Sequence, residues 1–506
     1  MYLSRREITS YSFLAVFTCL WAGAFSLLGM DLHHDGVMFK AAVDVAEGKW
    51  VFKETFCQYG ILSPLLQGWM LKIFGTELAV LKLGTAFFYA GIVILNDLIW
   101  RRFLTLPFRI FTGVMFFVLA PYLMVPFHIW SSVYALFFML LAAEFVLLAE
   151  EKEKKVFLYL SGICAGLVFG FRWPCGVVTL GAQLLSLAVA GFCRKEGRKY
   201  LKNTTVLLGG FGTVTALYAL YLTLGNAWRD CFQQIFSFVS KFAWERGGSG
   251  SAFQFLETFL PHSETTNFIF AFIPLAVLGL LLFAGRKIFS ASGETVRELP
   301  LITVLIFGLA AYHQYYPVPC VRHLYWGSVP MMGAYVLLIQ RIFVSARLPR
   351  FRKGLYLFFL ILPLIWGGFW RMYAGLFRVS EFFRRQTSDF PGLRYIRHGR
   401  SEMQICNIAW DIKQNLPPHL KERGVFNYTA DGVWSVVLPP CKDFQHPMFV
   451  NWLQNVYADY PGRAMAYVEA KRPVVLASTA FFHPVYVKVA EFQHMGVVYS
   501  LFLPRQ

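Results

Sequence analysis

Four residues early in the chain have side chains that can do chemistry: Asp31, His33, His34 and Asp35 follow directly on a long apolar run. A carboxylate within hydrogen-bond reach of a hydroxyl group can take its proton as a general base. Asp31 and Asp35 are both candidates for such a group. Gly36 is interpreted as a tight turn beside Asp35. An ordinary hydrated loop is the alternative interpretation of this segment.

The paired histidines are a second feature of the same loop. Adjacent residues point their rings in different directions, so His33 and His34 are poor joint chelators and are predicted to contact substrate. We therefore assign no metal ligand and expect no cofactor to be required. A divalent cation (Mg or Mn) held with Asp31 and Asp35 is the alternative.

Two arginines lie in later turns that the apolar pattern places on the same side of the membrane as Asp35. A guanidinium group can bind two phosphate oxygens at once, and Arg172 and Arg322 are therefore candidates for holding a phosphate. His323 would add a hydrogen bond. Snorkelling at a helix end is the alternative, but the positive-inside rule disfavours arginine on the outer side.

Aromatic residues near these turns are candidates for substrate contact: Tyr59, Trp173 and Tyr325. Tyr and Trp are also enriched at both edges of any membrane protein. Their presence therefore discriminates little between a ligand site and an interfacial belt.

Membrane helices must position these residues. The chain has 506 residues, of which 57% are hydrophobic and 15% charged, whereas soluble proteins carry about 25% charged residues. The net charge of +18 does not indicate a nucleic-acid partner, because Lys and Arg cluster at the ends of apolar runs. The composition predicts a multi-pass, α-helical integral membrane protein with membrane lipids around it.

The apolar runs predict about eleven transmembrane helices within residues 1–370, with the N-terminus inside and the C-terminus outside. They are 10–30, 77–100, 107–125, 130–149, 156–171, 175–193, 203–225, 267–285, 299–312, 324–340 and 354–370. The catalytic first outer loop is 31–76, in which 61–74 is too short to span and is predicted to lie at the interface. A long outer loop, 226–266, is predicted to be amphipathic and able to close over substrate.

The last part of the chain, 371–506, has the polar composition of a soluble domain. We predict a small α/β domain on the outer face, with a helix over 403–414 and strands at 425–428, 474–477 and 497–503. Cys406 and Cys441 both fall in this domain, where a disulfide is permitted.

Three short patterns together resemble the GT-C superfamily of membrane glycosyltransferases, which includes aminoarabinose transferases and protein O-mannosyltransferases. They are the run Asp31–Gly36 followed by Gln58-Tyr59-Gly60, the glycine-rich run Gly166–Pro174 around Arg172, and Arg322–Trp326. The family typically has paired acids such as Asp-Glu after its first span. Here the second acid is absent, which leaves open whether Asp31 or Asp35 matches the catalytic acid. For the reaction that the resemblance implies, we predict that Asp35 is the general base, and that Asp31 orients the acceptor or raises the pKa of Asp35 through like charge.

The resemblance implies a GT-C type fold and an inverting glycosyltransferase. Such an enzyme moves a sugar from a polyprenyl-phosphate donor to a hydroxyl acceptor on a lipid-linked glycan, an envelope glycan or a protein. The expected location is the bacterial inner membrane, with the active site facing the periplasm or exterior. The rival hypotheses are a transporter or flippase for polyprenyl-linked lipids, an O-antigen-ligase-like enzyme, and a membrane scaffold.

Overall fold

The protein is described here from a computed structural model that covers residues 5–237, 269–289, 295–315, 321–441, 444, 459–478 and 480–505. Most of the predicted long loop, 226–266, lies outside these described residues. The helices of the first half are α1 Arg5–Ser26, α2 His34–Ala46, α3 Leu62–Phe74, α4 Leu78–Trp100, α5 Leu106–Val118, α6 Ser131–Lys152, α7 Lys155–Phe171, α8 Trp173–Arg194, α9 Gly197–Leu224 and α10 Trp228–Cys231. Those of the second half are α11 Ile269–Phe289, α12 Thr295–Ala311, α13 Val321–Ser328, α14 Met332–Val344, α15 Arg350–Arg384, α16 Arg400–Asn415, α17 Pro418–Arg423, α18 Trp434–Val437 and α19 Tyr460–Lys471.

The protein is an integral membrane protein, as predicted. Eight helical segments in the described part of the chain are long and apolar enough to cross a bilayer, and α5 and α7 are shorter apolar helices. Each of the eleven predicted spans coincides with one of α1, α4–α9, α11, α12, α14 and α15. The helices pack around one large apolar cluster that contains Tyr89, Trp100 and Trp326.

Helix α3 matches the segment predicted to lie at the interface. Its 13 residues span only about 20 Å, less than the roughly 30 Å of a hydrocarbon core. One side packs on α2, and Trp69, Ile73 and Phe74 are exposed on the other. An amphipathic helix of this length suits the membrane surface.

The longest helix, α15, connects the membrane to the C-terminal domain. Its 35 residues extend over about 52 Å, well beyond the thickness of a hydrocarbon core. The helix therefore continues past residue 370, where the sequence places the end of the last span, to Arg384.

The C-terminal domain is a small α/β unit. Its strands are β1 Gln386–Thr387, β2 Arg397–His398, β3 Val425–Tyr428, β4 Val474–Ala477, β5 Tyr486–His494 and β6 Val497–Pro504. The main sheet has the order β3-β4-β6-β5, with β3 parallel to β4 and the other pairs antiparallel. Strand β5 was not predicted from the sequence. It joins β6 through Met495 and Gly496, whose φ angles of 48° and 80° are those of a tight hairpin turn.

Cys406 and Cys441 do not form the disulfide that the sequence permits. Cys406 packs in the apolar cluster between α16 and the first outer loop, whereas Cys441 packs in a second cluster with α19. The two cysteines therefore serve as small buried apolar side chains.

Candidate active site

The segment that carries Asp31 is held between the membrane helices and the C-terminal domain by backbone hydrogen bonds. Gly29 donates its N–H to the carbonyl of Arg397 at 3.0 Å, and Arg397 donates to Leu27 at 2.8 Å. Val433 donates to the carbonyl of Leu32 at 2.9 Å. The C-terminal domain therefore fixes the backbone on both sides of Asp31.

The turn of this segment is at Gly29 and not at Gly36, where the sequence predicts it. Gly29, with φ of 72°, makes the turn after α1. Gly36 lies inside α2, and a Cβ built on it would be 2.2 Å from the backbone nitrogen of Val433. The prediction of a turn at Gly36 is wrong, because this glycine permits close packing of α2 against Gly432 and Val433.

Asp31 lies at the start of α2, and its two carboxylate oxygens differ in their surroundings. Oδ1 accepts the backbone N–H groups of His33 at 3.1 Å and His34 at 2.6 Å, together with a contact from Nδ1 of His34 at 3.0 Å. Oδ2 lies 3.6 Å from Nε2 of His128 and 3.7 Å from a guanidinium nitrogen of Arg322. Oδ1 thus binds the first turn of the helix, and Oδ2 points toward the cationic side of the site.

Asp35 lies below Asp31 and is closed off from solvent. Its side chain is 2% exposed, and Oδ2 pairs with Nζ of Lys82 at 2.9 Å. Lys82 is fully buried and also donates to the carbonyls of Gly29 at 3.1 Å and Phe127 at 2.8 Å. Lys82 therefore ties α2, the turn after α1 and the turn before α6 to the outer end of α4.

Aromatic rings surround the Asp31 carboxylate. The ring of His34 stacks on His128 at 5.4 Å between centroids, and Trp130 stacks on His323 at 5.1 Å. The guanidinium of Arg322 lies 5.5 Å from the centre of the Trp130 ring, within the range of a cation–π contact. This packing limits the positions open to the Arg322 guanidinium.

A small cavity borders Arg322, His128, Trp130 and Trp326. Its volume of about 20 Å³ has room for a water molecule.

Arg172 lies in a second group of side chains next to this centre. It donates to the hydroxyl of Ser132, and its guanidinium lies 5.6 Å from the ring centre of Tyr59. Ser132 follows Trp130 by two residues, and two residues of extended chain cover roughly 7 Å. The Arg172 group, which includes Ser132, is therefore adjacent to the Asp31 group, which includes Trp130. The turn 128–132 thus contacts both the Asp31 group and the Arg172 group.

Gly60 is the reason that Tyr59 reaches Arg172. A Cβ built on Gly60 would be 2.3 Å from the carbonyl oxygen of Gly170 and 2.7 Å from that of Phe171. Only glycine allows the two chain segments to approach this closely. The patterns around Gly60 and Arg172, which are more than 100 residues apart in sequence, form one contact.

We expect that Gly60→Ala lowers the stability of the folded protein by about 1–3 kcal/mol, because the added methyl group overpacks the contact with Gly170. It should also weaken binding of a phosphate-bearing lipid, since Tyr59 moves away from Arg172. Thermal unfolding in detergent and lipid titration measure the two effects. Gly209→Ala is the matched control, because a Cβ at Gly209 meets nothing within 4 Å. Equal behaviour of the two variants would contradict this interpretation.

The structure brings together most of the predicted site residues. Asp31, Asp35, His34, Arg322 and His323 surround one centre, and Arg172 and Tyr59 form the neighbouring group. Trp173 and Tyr325 point elsewhere, whereas the ring of His33 packs edge-on against that of His34 at 4.9 Å between centroids. His33 contacts the carbonyl of Ala430 at 2.8 Å, Trp173 packs on Phe236, and the hydroxyl of Tyr325 is buried with that of Tyr89.

Sequence reasoning missed three residues of the site: Lys82, His128 and Trp130. Lys82 had a signal, because an ionisable residue within an apolar run is costly and tends to have a buried partner. His128 and Trp130 had only their position in a short turn. They belong to the site only because that turn packs next to Asp31, and this contact cannot be predicted from a single sequence.

Asp31, His34 and His128 also form a group that could hold a metal ion, with ligand atoms within 4.8 Å of one another. Two imidazoles and one carboxylate suit Zn²⁺ or a similar transition metal better than Mg²⁺, which prefers oxygen ligands. The nearby Arg322 opposes a cation at this position.

Burial and hydrogen bonding shift the pKa values of the two acids in opposite directions. Burial alone would raise the pKa of Asp31, but the hydrogen bonds from the ring and backbone of His34 outweigh it and lower the pKa. Burial raises the pKa of Asp35, against the opposing effect of Lys82. Burial and the charge of Arg322 lower the pKa of His128.

The fold is that of a solved membrane enzyme. The structure of ArnT from Cupriavidus metallidurans bound to undecaprenyl phosphate superposes with a TM-score of 0.59 at 13% identity, covering 99% of this chain and 98% of that one. The chain has the ArnT fold. The apo state of ArnT from the same organism gives a TM-score of 0.52 at 13% identity, covering 98% of each chain. ArnT is an aminoarabinose transferase with a GT-C fold, so the predicted fold class is confirmed.

No protein-family model and no curated protein sequence matches the chain. The likeness to ArnT is therefore one of three-dimensional structure, with little identity of residues. It extends over the membrane helices and the C-terminal domain alike.

Proposed function

We propose that this protein is an inverting glycosyltransferase that moves a sugar from a polyprenyl-phosphate donor to a hydroxyl acceptor. The observation that carries the proposal is the position of Asp31 Oδ2, 3.7 Å from the Arg322 guanidinium, in a chain with the ArnT fold. A base and a phosphate-binding cation are the two groups that this transfer needs. They must move apart when a sugar binds between them, because the attacking and departing oxygens lie on opposite faces of its ring.

Asp31 is the better candidate for the base, although the sequence favours Asp35. Asp31 is about one-fifth exposed, whereas Asp35 is closed off and paired with Lys82. A base must come within about 3 Å of the hydroxyl proton that it takes, and Oδ2 of Asp31 can do so without breaking a buried ion pair. Asp35 then has a positioning role: it pairs with Lys82 and accepts a hydrogen bond from the backbone N–H of Asp31 at 3.0 Å.

In the proposed reaction, the acceptor oxygen attacks the anomeric carbon of the sugar as its proton passes to Asp31. The bond between that carbon and the phosphate oxygen breaks on the opposite face of the ring, which inverts the configuration. The departing polyprenyl phosphate gains negative charge, and Arg322 stabilises it through paired hydrogen bonds. Arg172, in the neighbouring group with Ser132 and Tyr59, is a second candidate for holding the phosphate.

The membrane face that carries Asp31 and the C-terminal domain is proposed to be the outer face, facing the periplasm of a bacterial inner membrane. The support is the excess of Lys and Arg in the turns at the opposite ends of the helices. Acceptors on that face include a lipid-linked glycan, another envelope glycan or a protein.

The reaction is proposed to require no metal ion, because Arg322 supplies positive charge beside Asp31. We expect that a chelator such as EDTA leaves the rate within about twofold, and that micromolar Zn²⁺ inhibits by occupying Asp31, His34 and His128. Initial rates with and without chelator measure this. His128→Gln is the control variant, and it should relieve the zinc inhibition. A rate abolished by EDTA and restored by Mn²⁺ or Mg²⁺ would show instead that the cation takes part.

The proposed function is tested with purified full-length protein, a panel of undecaprenyl-phosphate monosaccharides and extracted envelope glycolipids. Release of undecaprenyl phosphate and an inverted anomeric centre in the product are the expected results, measured by mass spectrometry and NMR. Binding of undecaprenyl phosphate without consumption of any donor would contradict transfer. Movement of intact donor between the leaflets of a vesicle would favour a flippase.

A further inference from the structure

A cavity of about 440 Å³ opens at the membrane face opposite Asp31. Lys82, near the Asp31 centre, and Trp100 lie about 27 Å apart along α4, and the cavity is next to the Trp100 end. Its size is in the range of small-molecule sites, roughly 300–1,000 Å³. The charged residues that line it come from four helix ends and are Arg102, Glu151, Arg297, Glu298 and Arg341.

One wall of the cavity carries a carboxylate at its opening. The guanidinium of Arg102 bonds to both oxygens of Glu144 at 2.7 and 2.8 Å and to Glu151 at 2.6 Å, and Arg101 also acts electrostatically on Glu144. Glu144 is therefore compensated in the interior. The Glu151 side chain is 35% exposed, so its carboxylate faces the opening.

The other wall carries an excess of positive charge. Arg297 is exposed at the start of α12, and Arg341 lies in the last turn of α14. Glu298 is 3.8 Å from Arg341, beyond hydrogen-bond distance, and Nη1 of Arg341 is buried with no hydrogen-bond partner among the described residues. Two arginines and one carboxylate leave an excess of one positive charge.

We propose that this cavity binds the phosphoethanolamine head group of a membrane lipid. The phosphate would take the free donors of Arg297 and Arg341, and the ammonium group would lie against Glu151. Opposite charges on opposite walls fit a zwitterion better than an anionic head group, which Glu151 would repel. Basic pockets between helix ends are known positions for lipid head groups, and the apolar side chains of Phe103 and Leu301 in the same lining can contact the acyl chains.

The test uses purified, delipidated full-length protein in detergent. Phosphatidylethanolamine and phosphatidylglycerol with identical acyl chains are titrated separately and their binding is measured by native mass spectrometry. We expect phosphatidylethanolamine to bind more tightly. Arg297→Gln and Arg341→Gln should each weaken it about tenfold, the usual effect of removing a charged hydrogen bond. Glu151→Gln should weaken phosphatidylethanolamine and leave phosphatidylglycerol unchanged or tighter.

The matched control is Arg350→Gln, an exposed arginine at the first residue of α15 that does not line the cavity. It should bind both lipids as the wild type does. Arg297→Gln remains informative if Glu151→Gln disturbs folding, because Arg297 is exposed. Tighter binding of phosphatidylglycerol, or unchanged binding in the Arg297 and Arg341 variants, would overturn the proposal. If free phosphoethanolamine binds as tightly as phosphatidylethanolamine, the ligand is not a membrane lipid and the proposal is overturned.

Discussion

Replacing Asp31 by asparagine is expected to lower the rate of sugar transfer by at least about 100-fold, the lower end of the contribution of a general base. The same change should leave the fold intact. The retained amide oxygen can still accept the N–H groups of His33 and His34 that Oδ1 binds, since asparagine caps helices as well as aspartate does. The position of Oδ2 near Arg322 is then taken by the amide NH2 group, which cannot accept a proton.

The measurement is a turnover assay together with binding of undecaprenyl phosphate and the thermal unfolding midpoint. Asp31→Asn should reduce turnover alone. Glu47→Gln is the matched control, because Glu47 is a 60% exposed carboxylate in the same outer loop. A folded, inactive Asp35→Asn variant beside a fully active Asp31→Asn variant would return the role of base to Asp35.

The second large effect concerns the buried pair of Asp35 and Lys82. Removal of one partner leaves the other charge unpaired in a nonpolar environment, and such changes cost about 3–5 kcal/mol. Asp35→Asn and Lys82→Met should therefore each lower the unfolding temperature markedly. Lys82→Met should also lower activity more than Asp35→Asn does. Lys82 donates hydrogen bonds to the carbonyls of Gly29 and Phe127 and so holds the backbone on both sides of the site.

A double-mutant cycle separates pairing from packing. The double variant Asp35→Asn/Lys82→Met should be more stable than the sum of the single losses predicts, because no unpaired charge remains. Lys488→Met is the control, since Lys488 forms a pair with Glu491 in which both side chains are about half exposed. Such surface pairs contribute about 0–1 kcal/mol. Additive losses at Asp35 and Lys82 would show that the two side chains do not stabilise each other.

The C-terminal domain has a direct part in the site, which follows from its hydrogen bonds to the first outer loop. Glu402 of α16 accepts the backbone N–H of Met30 at 3.2 Å and caps its own helix through Gly399 at 2.6 Å. A domain that appears in sequence as a soluble appendage is therefore part of the support of Asp31.

Hydropathy and charge by themselves determined the class of protein and the positions of its helices. Most spans are long and apolar, and basic residues cluster at one side of them; the bilayer imposes these features on each helix separately. The strands β3 and β4 were predicted within their observed limits because both are short runs of apolar and β-branched residues between polar segments. Strand β5 was missed because its mixed exposure gives a weak pattern.

The site was predicted only in part. The sequence identified Asp31, Asp35, Arg172 and Arg322 as candidates, since charged residues on the outer side of a membrane protein stand out from their apolar surroundings. It favoured Asp35 over Asp31 as the base, whereas Asp31 is the more accessible of the two side chains. Their difference arises from Lys82, which is 47 positions from Asp35 along the chain and touches it only because α2 packs across the outer end of α4.

Local composition and periodicity thus determined the membrane class, the helices and the candidate charges, because each depends on a short stretch of chain and its solvent. Only the tertiary structure decided which acid is buried and which faces Arg322. It also brought His128 and Trp130 to the centre and set Gly36 against the C-terminal domain. These relations depend on contacts between residues far apart in sequence, and no local pattern contains them.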